Sequence, residues 1–145
     1  MFEGAAALSL DAKGRVAIPA RHREPLLAAA QGSIVLTAHP QRCLLLYPQP
    51  EWQPIRDKIL KAPSFDARAA ALKRVLVGNA RTEELDSAGR LLVSAELRDY
   101  AQLEKTIWLV GMGTHFEIWD AAKLAESEAE AVAGGMPDVL SNFSF

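Results

Sequence analysis

Two copies of a short pattern, Asp-x-x-Gly-Arg, stand out for the chemistry that their residue types allow. The first copy runs from Asp11 to Arg15 and the second from Asp86 to Arg90. Aspartate can accept hydrogen bonds from the backbone of a turn, and glycine supplies a positive φ. The pattern therefore predicts a turn that aims the following arginine outward. A guanidinium held in this way suits phosphate or the O6/N7 edge of guanine.

The pattern also has a purely structural interpretation. An i,i+4 ion pair on a helix is worth only ~0.3–0.5 kcal/mol, and a glycine inside the spacing disfavours a helix interior. A hairpin turn in which arginine only pairs with aspartate fits better. The residues alone leave both this structural role and a nucleic-acid contact open.

The two copies differ in their accessory charges. The first has Lys13 inside the turn and two arginines on the segment that follows it, whereas the second has Ala88 and Glu96 at the positions of Lys13 and Arg21. Arg98 in the second copy matches Arg23 in the first. We expect the first copy to be the better equipped for an anionic partner, and Arg21 and Arg23 either to reach that partner or to pair with acids of a neighbouring subunit. The basic candidates for a nucleic-acid contact are Lys13, Arg15, Arg21, Arg23 and Arg90.

Composition limits the other classes of protein. The 145 residues carry a formal net charge of −2 and are 50% hydrophobic, which allows one domain or two small intertwined modules with a real core. Charge is uneven: residues 9–23 hold four bases and one acid, whereas residues 120–138 hold one base and five acids. A single cysteine, Cys43, excludes an intramolecular disulfide and suits a reducing cytosol. No signal peptide or run of roughly 20 apolar residues is evident, so a cytoplasmic protein without membrane association is expected.

Around each copy of the pattern the sequence predicts the same order of elements: strand, turn, strand, helix, hairpin, helix. Pro48 and Pro50 are expected to end the second strand of the first hairpin, and Pro25 to weaken or shorten a helix that runs to about Ala30. The second module should begin with a strand at 80–85 and contain a hairpin strand at 106–111, and Asp66, Ser94 and Asp120 should cap helices. We divide the chain into a first module at 5–50, connecting helices at 51–78, a second module at 79–122, and a C-terminal helix and tail at 123–145. Neither module is large enough to bury a core by itself. The predicted fold class is α+β, mainly β, with both modules completing one barrel-like β-core around a pseudo-two-fold axis.

The sequence resembles the MraZ family of bacterial transcriptional regulators over about its first 120 residues. The residues that carry the resemblance are Met1-Phe2-x-Gly4, Leu10-Asp11-x-Lys13-Gly14-Arg15, Ile18-Pro19, Arg23, Leu46-Tyr47-Pro48, Glu51-Trp52 and Asp86-x-x-Gly89-Arg90. The second turn lacks the lysine, and the segment after Gly134 matches nothing in the family pattern.

The resemblance implies two tandem swapped-hairpin modules of the SpoVT-AbrB type. It also implies a ring-shaped homo-oligomer that binds short DNA repeats, each with a guanine run, upstream of the division and cell-wall gene cluster. The two Asp-x-x-x-Arg motifs would form the DNA-facing surface, a role that the resemblance carries over to Asp11, Arg15, Asp86 and Arg90. With the basic candidates Lys13, Arg21 and Arg23, these are the expected DNA-binding residues. We therefore expect a nucleoid-associated repressor of that gene cluster. It would bind direct repeats near its own promoter and need no cofactor.

Two other classes compete with this expectation. An enzyme is disfavoured because the three histidines are isolated in sequence, Cys43 precedes an apolar run that suits a core, and no phosphate-binding glycine loop is present. The alternative is an antitoxin-like module that binds a protein partner through its C-terminal segment, where Phe143 and Phe145 lie.

Overall fold

The computed structural model describes residues 1–63 and 65–144 of the chain. The strands are β1 (Ala5–Ser9), β2 (Arg15–Ala17), β3 (Ile34–His39), β4 (Cys43–Pro48), β5 (Arg81–Glu83), β6 (Arg90–Leu92), β7 (Thr106–Gly111) and β8 (Phe116–Asp120). The helices are α1 (Ala20–Ala30), α2 (Gln49–Leu60), α3 (Ala67–Leu76), α4 (Ala95–Ala101) and α5 (Ala121–Ala133).

The main sheet exchanges strands between the two modules. Its order is β1-β7-β8-β4-β3-β5, and all of its pairings are antiparallel. The first strand of each module therefore pairs with the hairpin of the other module: β1 lies beside β7, and β5 lies beside β3. The order reads the same from either end when the modules are exchanged. This arrangement confirms the α+β fold with two intertwined modules, although the sheet does not close into a barrel, because β1 and β5 form its two edges.

The remaining two strands form a ribbon at the pseudo-two-fold axis. β2 and β6 pair antiparallel, with Val16 opposite Leu91 and Arg15 opposite Leu92. Val16 and Leu91 occupy matching positions of the two modules, so the axis passes between them. Both are buried, at 1% and 0% exposure, whereas Leu92 is half exposed. The ribbon therefore buries one face in the core and turns the other outward, as alternation along a strand requires.

A shared hydrophobic core lies beneath this ribbon. It combines residues of both modules, from Val16 and Ile18 in the first to Leu91 and Val93 in the second. A smaller cluster around Trp52 lies on the other face of the sheet, under α2 and α3. Because both modules contribute residues to the main core, the two Asp-x-x-Gly-Arg turns belong to one packed unit.

Several boundaries differ from those predicted by the sequence. Pro50 was expected to help end β4, but it lies in the first turn of α2, where proline is tolerated because the first amides have no helical acceptor. The helix that contains Pro25 does end at Ala30 as predicted, so the proline does not shorten it. β5 has only three residues, since it pairs with only Ile34 to Leu36 of β3.

The C-terminal segment after α5 is exposed and contains one 3₁₀ turn, Asp138–Leu140. Phe143 is 62% exposed, and Phe145 lies outside the described residues. In the described part of the chain, none of the helices has the length and apolar character needed to cross a bilayer.

Candidate nucleic-acid interface

The first turn is organised by the carboxylate of Asp11. Its Oδ1 accepts the backbone N–H groups of Lys13, at 2.9 Å, and of Arg15, at 2.8 Å. Its Oδ2 accepts the side-chain Nε–H of Arg15 at 2.8 Å. Two backbone bonds close the same turn, from Gly14 N–H to the carbonyl of Asp11 and from Asp11 N–H to the carbonyl of Arg15. One carboxylate thus fixes both the turn and the arginine that leaves it.

The second turn repeats this geometry. Asp86 Oδ1 accepts the backbone N–H groups of Ala88, at 3.0 Å, and of Arg90, at 2.8 Å, and Oδ2 accepts Arg90 Nε–H at 2.8 Å. The backbone φ values are +84° at Gly14 and +75° at Gly89. Residues other than glycine rarely adopt this region. The turns predicted from the sequence are therefore present in both copies.

The hydrogen bonds favour the charged form of both aspartates. Backbone N–H donation from Arg15 lowers the pKa of Asp11, and the same donation from Arg90 lowers the pKa of Asp86. Both carboxylates are therefore ionised at neutral pH, as acceptors for an arginine must be.

Each arginine uses only one corner of its guanidinium to bind its own aspartate. Because Nε takes that bond, the edge formed by the two Nη atoms is left for another acceptor. The side chains of Arg15 and Arg90 are 28% and 36% exposed. This edge is the one that matches two acceptors on a guanine or a phosphate.

The ribbon places these two arginines on one outward face. Arg15 lies opposite Leu92, and Arg90 lies opposite Ala17, so the arginines occupy diagonal positions around the axis. Diagonal positions of an antiparallel pair are about 7–8 Å apart. The face between them is completed by Ala17 and the half-exposed Leu92. It is a narrow surface with a fixed pair of cationic groups.

The other cationic candidates are placed differently. Lys13 is exposed in the first turn, and Ala88 is exposed at the matching position of the second. Arg21 is also exposed, but its guanidinium lies beside Gly4, with one Nη 3.8 Å from where a Cβ on Gly4 would stand. Gly4 precedes β1 and the first turn follows it. The structure therefore places Arg21 at the far end of β1 from that turn.

Arg23 is partly buried against the second turn. Its Nη2 donates to the carbonyl of Ile18 at 2.9 Å, its Nε is buried without a partner, and its side chain covers Gly89. Arg98 occupies the equivalent place over Gly14, and its Nε donates to the carbonyl of Val93 at 3.1 Å. The repeat of Arg23 and Arg98 was visible in the sequence, but their contact with the opposite module was not.

The swapped strands and the paired turns together define a class of protein: a single chain that folds as an internally duplicated, hairpin-exchanged unit and presents two aspartate-held arginines on a β-ribbon. The family model described as "MraZ protein, putative antitoxin-like" matches residues 1–75 and 76–133. The chain belongs to the MraZ family.

Relatives with the name "Transcriptional regulator MraZ" are similar over almost the whole chain. The protein of Dechloromonas aromatica is 71% identical over 140 residues, which cover 94% of this chain and 95% of the relative. The protein of Herminiimonas arsenicoxydans is 54% identical and that of Bordetella pertussis 52% identical, each over 145 residues and the full length of both chains.

Proposed function

We propose that the chain is a DNA-binding transcriptional regulator whose β2–β6 ribbon is the DNA-reading surface. The observation that carries this proposal is the pair of arginines on the outward face, each fixed through Nε by its own aspartate. The names of the relatives support transcriptional regulation as the process served.

The shape of the ribbon suits the major groove of DNA. That groove is about 12 Å wide and admits a two-stranded β-ribbon, and several known regulators read DNA in this way. Arg15 and Arg90 would offer their Nη edges to guanine O6 and N7 or to phosphates. Asp11 and Asp86 would hold the turns without touching DNA, and Lys13 would add a phosphate contact beside Arg15.

For Arg21 we propose only an auxiliary DNA contact. Its guanidinium lies beside Gly4, at the end of β1 that is far from the first turn. The DNA contact predicted for Arg23 stays a prediction, because this side chain packs over Gly89 and donates to the carbonyl of Ile18. No residue is proposed as catalytic, and no cofactor is proposed.

A ring-shaped homo-oligomer would strengthen this small surface. One chain offers only a few cationic contacts. In a ring, however, the binding of one subunit raises the effective concentration of its neighbours at the adjacent DNA sites. We propose, from the family resemblance, that the ring binds direct repeats with guanine runs near the protein's own promoter and represses the division and cell-wall genes.

A gel shift with the DNA upstream of the protein's own gene tests the proposal. Arg15→Ala is compared with wild type and with Arg68→Ala, which removes the same charge from a side chain that is 93% exposed on α3. Loss of one bidentate arginine–guanine pair costs about 1–3 kcal/mol, so Arg15→Ala should bind roughly 5- to 150-fold more weakly per contacting chain. Light scattering checks that the assembly is unchanged. Equal binding by all three proteins would refute the assignment of the ribbon.

A protein-binding role is the second candidate. It is favoured by the antitoxin-like description of the family and by the exposed apolar side chains of Met136, Val139 and Phe143 in the C-terminal segment. Failure of wild-type protein to retard the DNA at low salt would favour this candidate over the regulator.

A further inference from the structure

Each Asp-x-x-Gly-Arg turn is covered by an arginine from the other module. The Arg98 side chain, which begins on α4 of the second module, lies over Gly14 of the first turn. Arg23, which begins on α1 of the first module, lies over Gly89 of the second turn. The two contacts are related by the pseudo-two-fold axis.

The arginines occupy the space that a side chain on the glycines would need. A Cβ added to Gly14 would stand 2.8 Å from both Cζ and Nε of Arg98 and 2.9 Å from the carbonyl oxygen of Val93. A Cβ added to Gly89 would overlap Cζ and Nε of Arg23. Each glycine therefore has a positive φ and is closely approached by a guanidinium from the opposite module, and at Gly14 the backbone carbonyl of Val93 lies equally close.

A short hydrogen-bond chain connects each arginine to the turn that it covers. Val93 N–H donates to the carbonyl of Gly14 at 2.8 Å, and Arg98 Nε–H donates to the carbonyl of Val93 at 3.1 Å. In the other half, Ile18 N–H donates to the carbonyl of Gly89 at 3.0 Å, and Arg23 Nη2–H donates to the carbonyl of Ile18 at 2.9 Å. The residues that follow the glycines in the chain are Arg15 and Arg90.

We propose that Arg98 and Arg23 are positioning residues, each of which fixes the turn of the opposite module so that Arg15 and Arg90 are presented at a set separation. The inference rests on the proposed function of the ribbon. An aspartate within each turn sets its local shape, and the arginine from the other module ties that turn to the ribbon. DNA then meets two preorganised guanidinium groups and does not have to order them on binding.

DNA affinity measured as a function of salt separates positioning from direct contact. Arg98→Ala should weaken binding roughly tenfold, the equivalent of ordering one loop side chain on binding. The slope of log affinity against log salt should stay that of wild type, because no phosphate contact is removed. Arg98→Lys should fail to restore affinity, since a lysine cannot place a planar guanidinium over Gly14.

A direct phosphate contact gives the opposite pattern. The slope would become shallower by about 0.9 for each contact removed, and Arg98→Lys would restore most of the affinity. That result, or wild-type affinity in Arg98→Ala, would overturn the inference while Arg15→Ala still upheld the ribbon as the DNA surface. Absence of DNA binding by wild type would overturn both.

A double-mutant cycle on thermal unfolding tests the contact without DNA. Gly14→Ala should lower Tm less in the Arg98→Ala background than in wild type, because removal of the guanidinium relieves one of the close contacts and leaves the positive φ and the approach to the carbonyl of Val93. Recovery of folded protein in the double variant, if Gly14→Ala alone does not fold, is the same result. Additive changes in Tm would overturn the contact. The salt series contains no glycine variant, so it decides the role of Arg98 independently.

Discussion

The proposed DNA contact predicts that one substitution, Ala88→Lys, raises DNA affinity, because the two turns differ in charge only at this position. Ala88 is exposed, and its backbone N–H donates to Asp86 Oδ1 at 3.0 Å, as that of Lys13 donates to Asp11 Oδ1 at 2.9 Å. The backbone geometry is the same, so a lysine at position 88 should project as Lys13 does. The second turn would then carry the full set of charges that the first turn has.

The size of the effect follows from counterion release. Each phosphate neutralised on duplex DNA contributes about 0.9 to the slope of log affinity against log salt. For one added contact, the affinity ratio of Ala88→Lys to wild type should fall roughly 3.5-fold between 50 and 200 mM salt. If several chains of an assembly contact the DNA, the change in slope multiplies by their number and so counts them.

Fluorescence anisotropy with one DNA duplex over a salt series measures these slopes. Ala129→Lys, on the exposed side of α5, adds the same charge outside the ribbon and serves as the control. We expect a steeper slope and tighter binding at low salt for Ala88→Lys only. Equal slopes for wild type and Ala88→Lys would contradict the idea that the second turn faces DNA. An equal increase in both variants would assign the effect to net charge.

Two further predictions concern buried groups. Burial in the core raises the pKa of the Cys43 thiol to about 12, so a thiol reagent at pH 8 should label native protein far more slowly than protein in denaturant; equal rates would contradict the buried position. Burial also lowers the pKa of His22 below 6.5, with its ring edge-on to Phe116 and its Nε2 unpartnered. The unfolded chain then binds the proton more tightly, so stability should fall as pH drops below 6.5 toward the folded-state pKa, and His22→Phe should reduce that fall. An NMR titration midpoint at or above 6.5 for His22 would contradict this.

The sequence predicted helix caps, turns and a hairpin correctly, because residues close together in the chain determine these structures. Asp66, Ser94 and Asp120 were predicted to cap helices, and each accepts a backbone N–H in the first turn of its helix. The two turns were predicted because aspartate and glycine act within five consecutive residues. The hairpin of β7 and β8 was also predicted, with its first strand at the observed bounds.

The sequence pattern did not predict contacts between residues that are far apart in the chain. Gly14 and Gly89 were explained by their turn geometry alone, whereas the structure adds the arginines of the opposite module that pack on them. Nothing in the residues near Arg23 indicates that its side chain lies over a turn more than sixty positions later. The exchange of strands between the modules was expected only from the resemblance to a family with swapped hairpins.

The exchange of β1 and β5 also imposes an order on folding during synthesis. β1 has no partner until β7 has been made, and one edge of β3 stays unpaired until β5 has been made. A chain grows at about 5–20 residues per second, so these strands spend several seconds without their strand partners. Pairings this distant in sequence are slow to form, and unpaired edges are open to other chains. The nascent first half should therefore depend on chaperones more than the finished protein does.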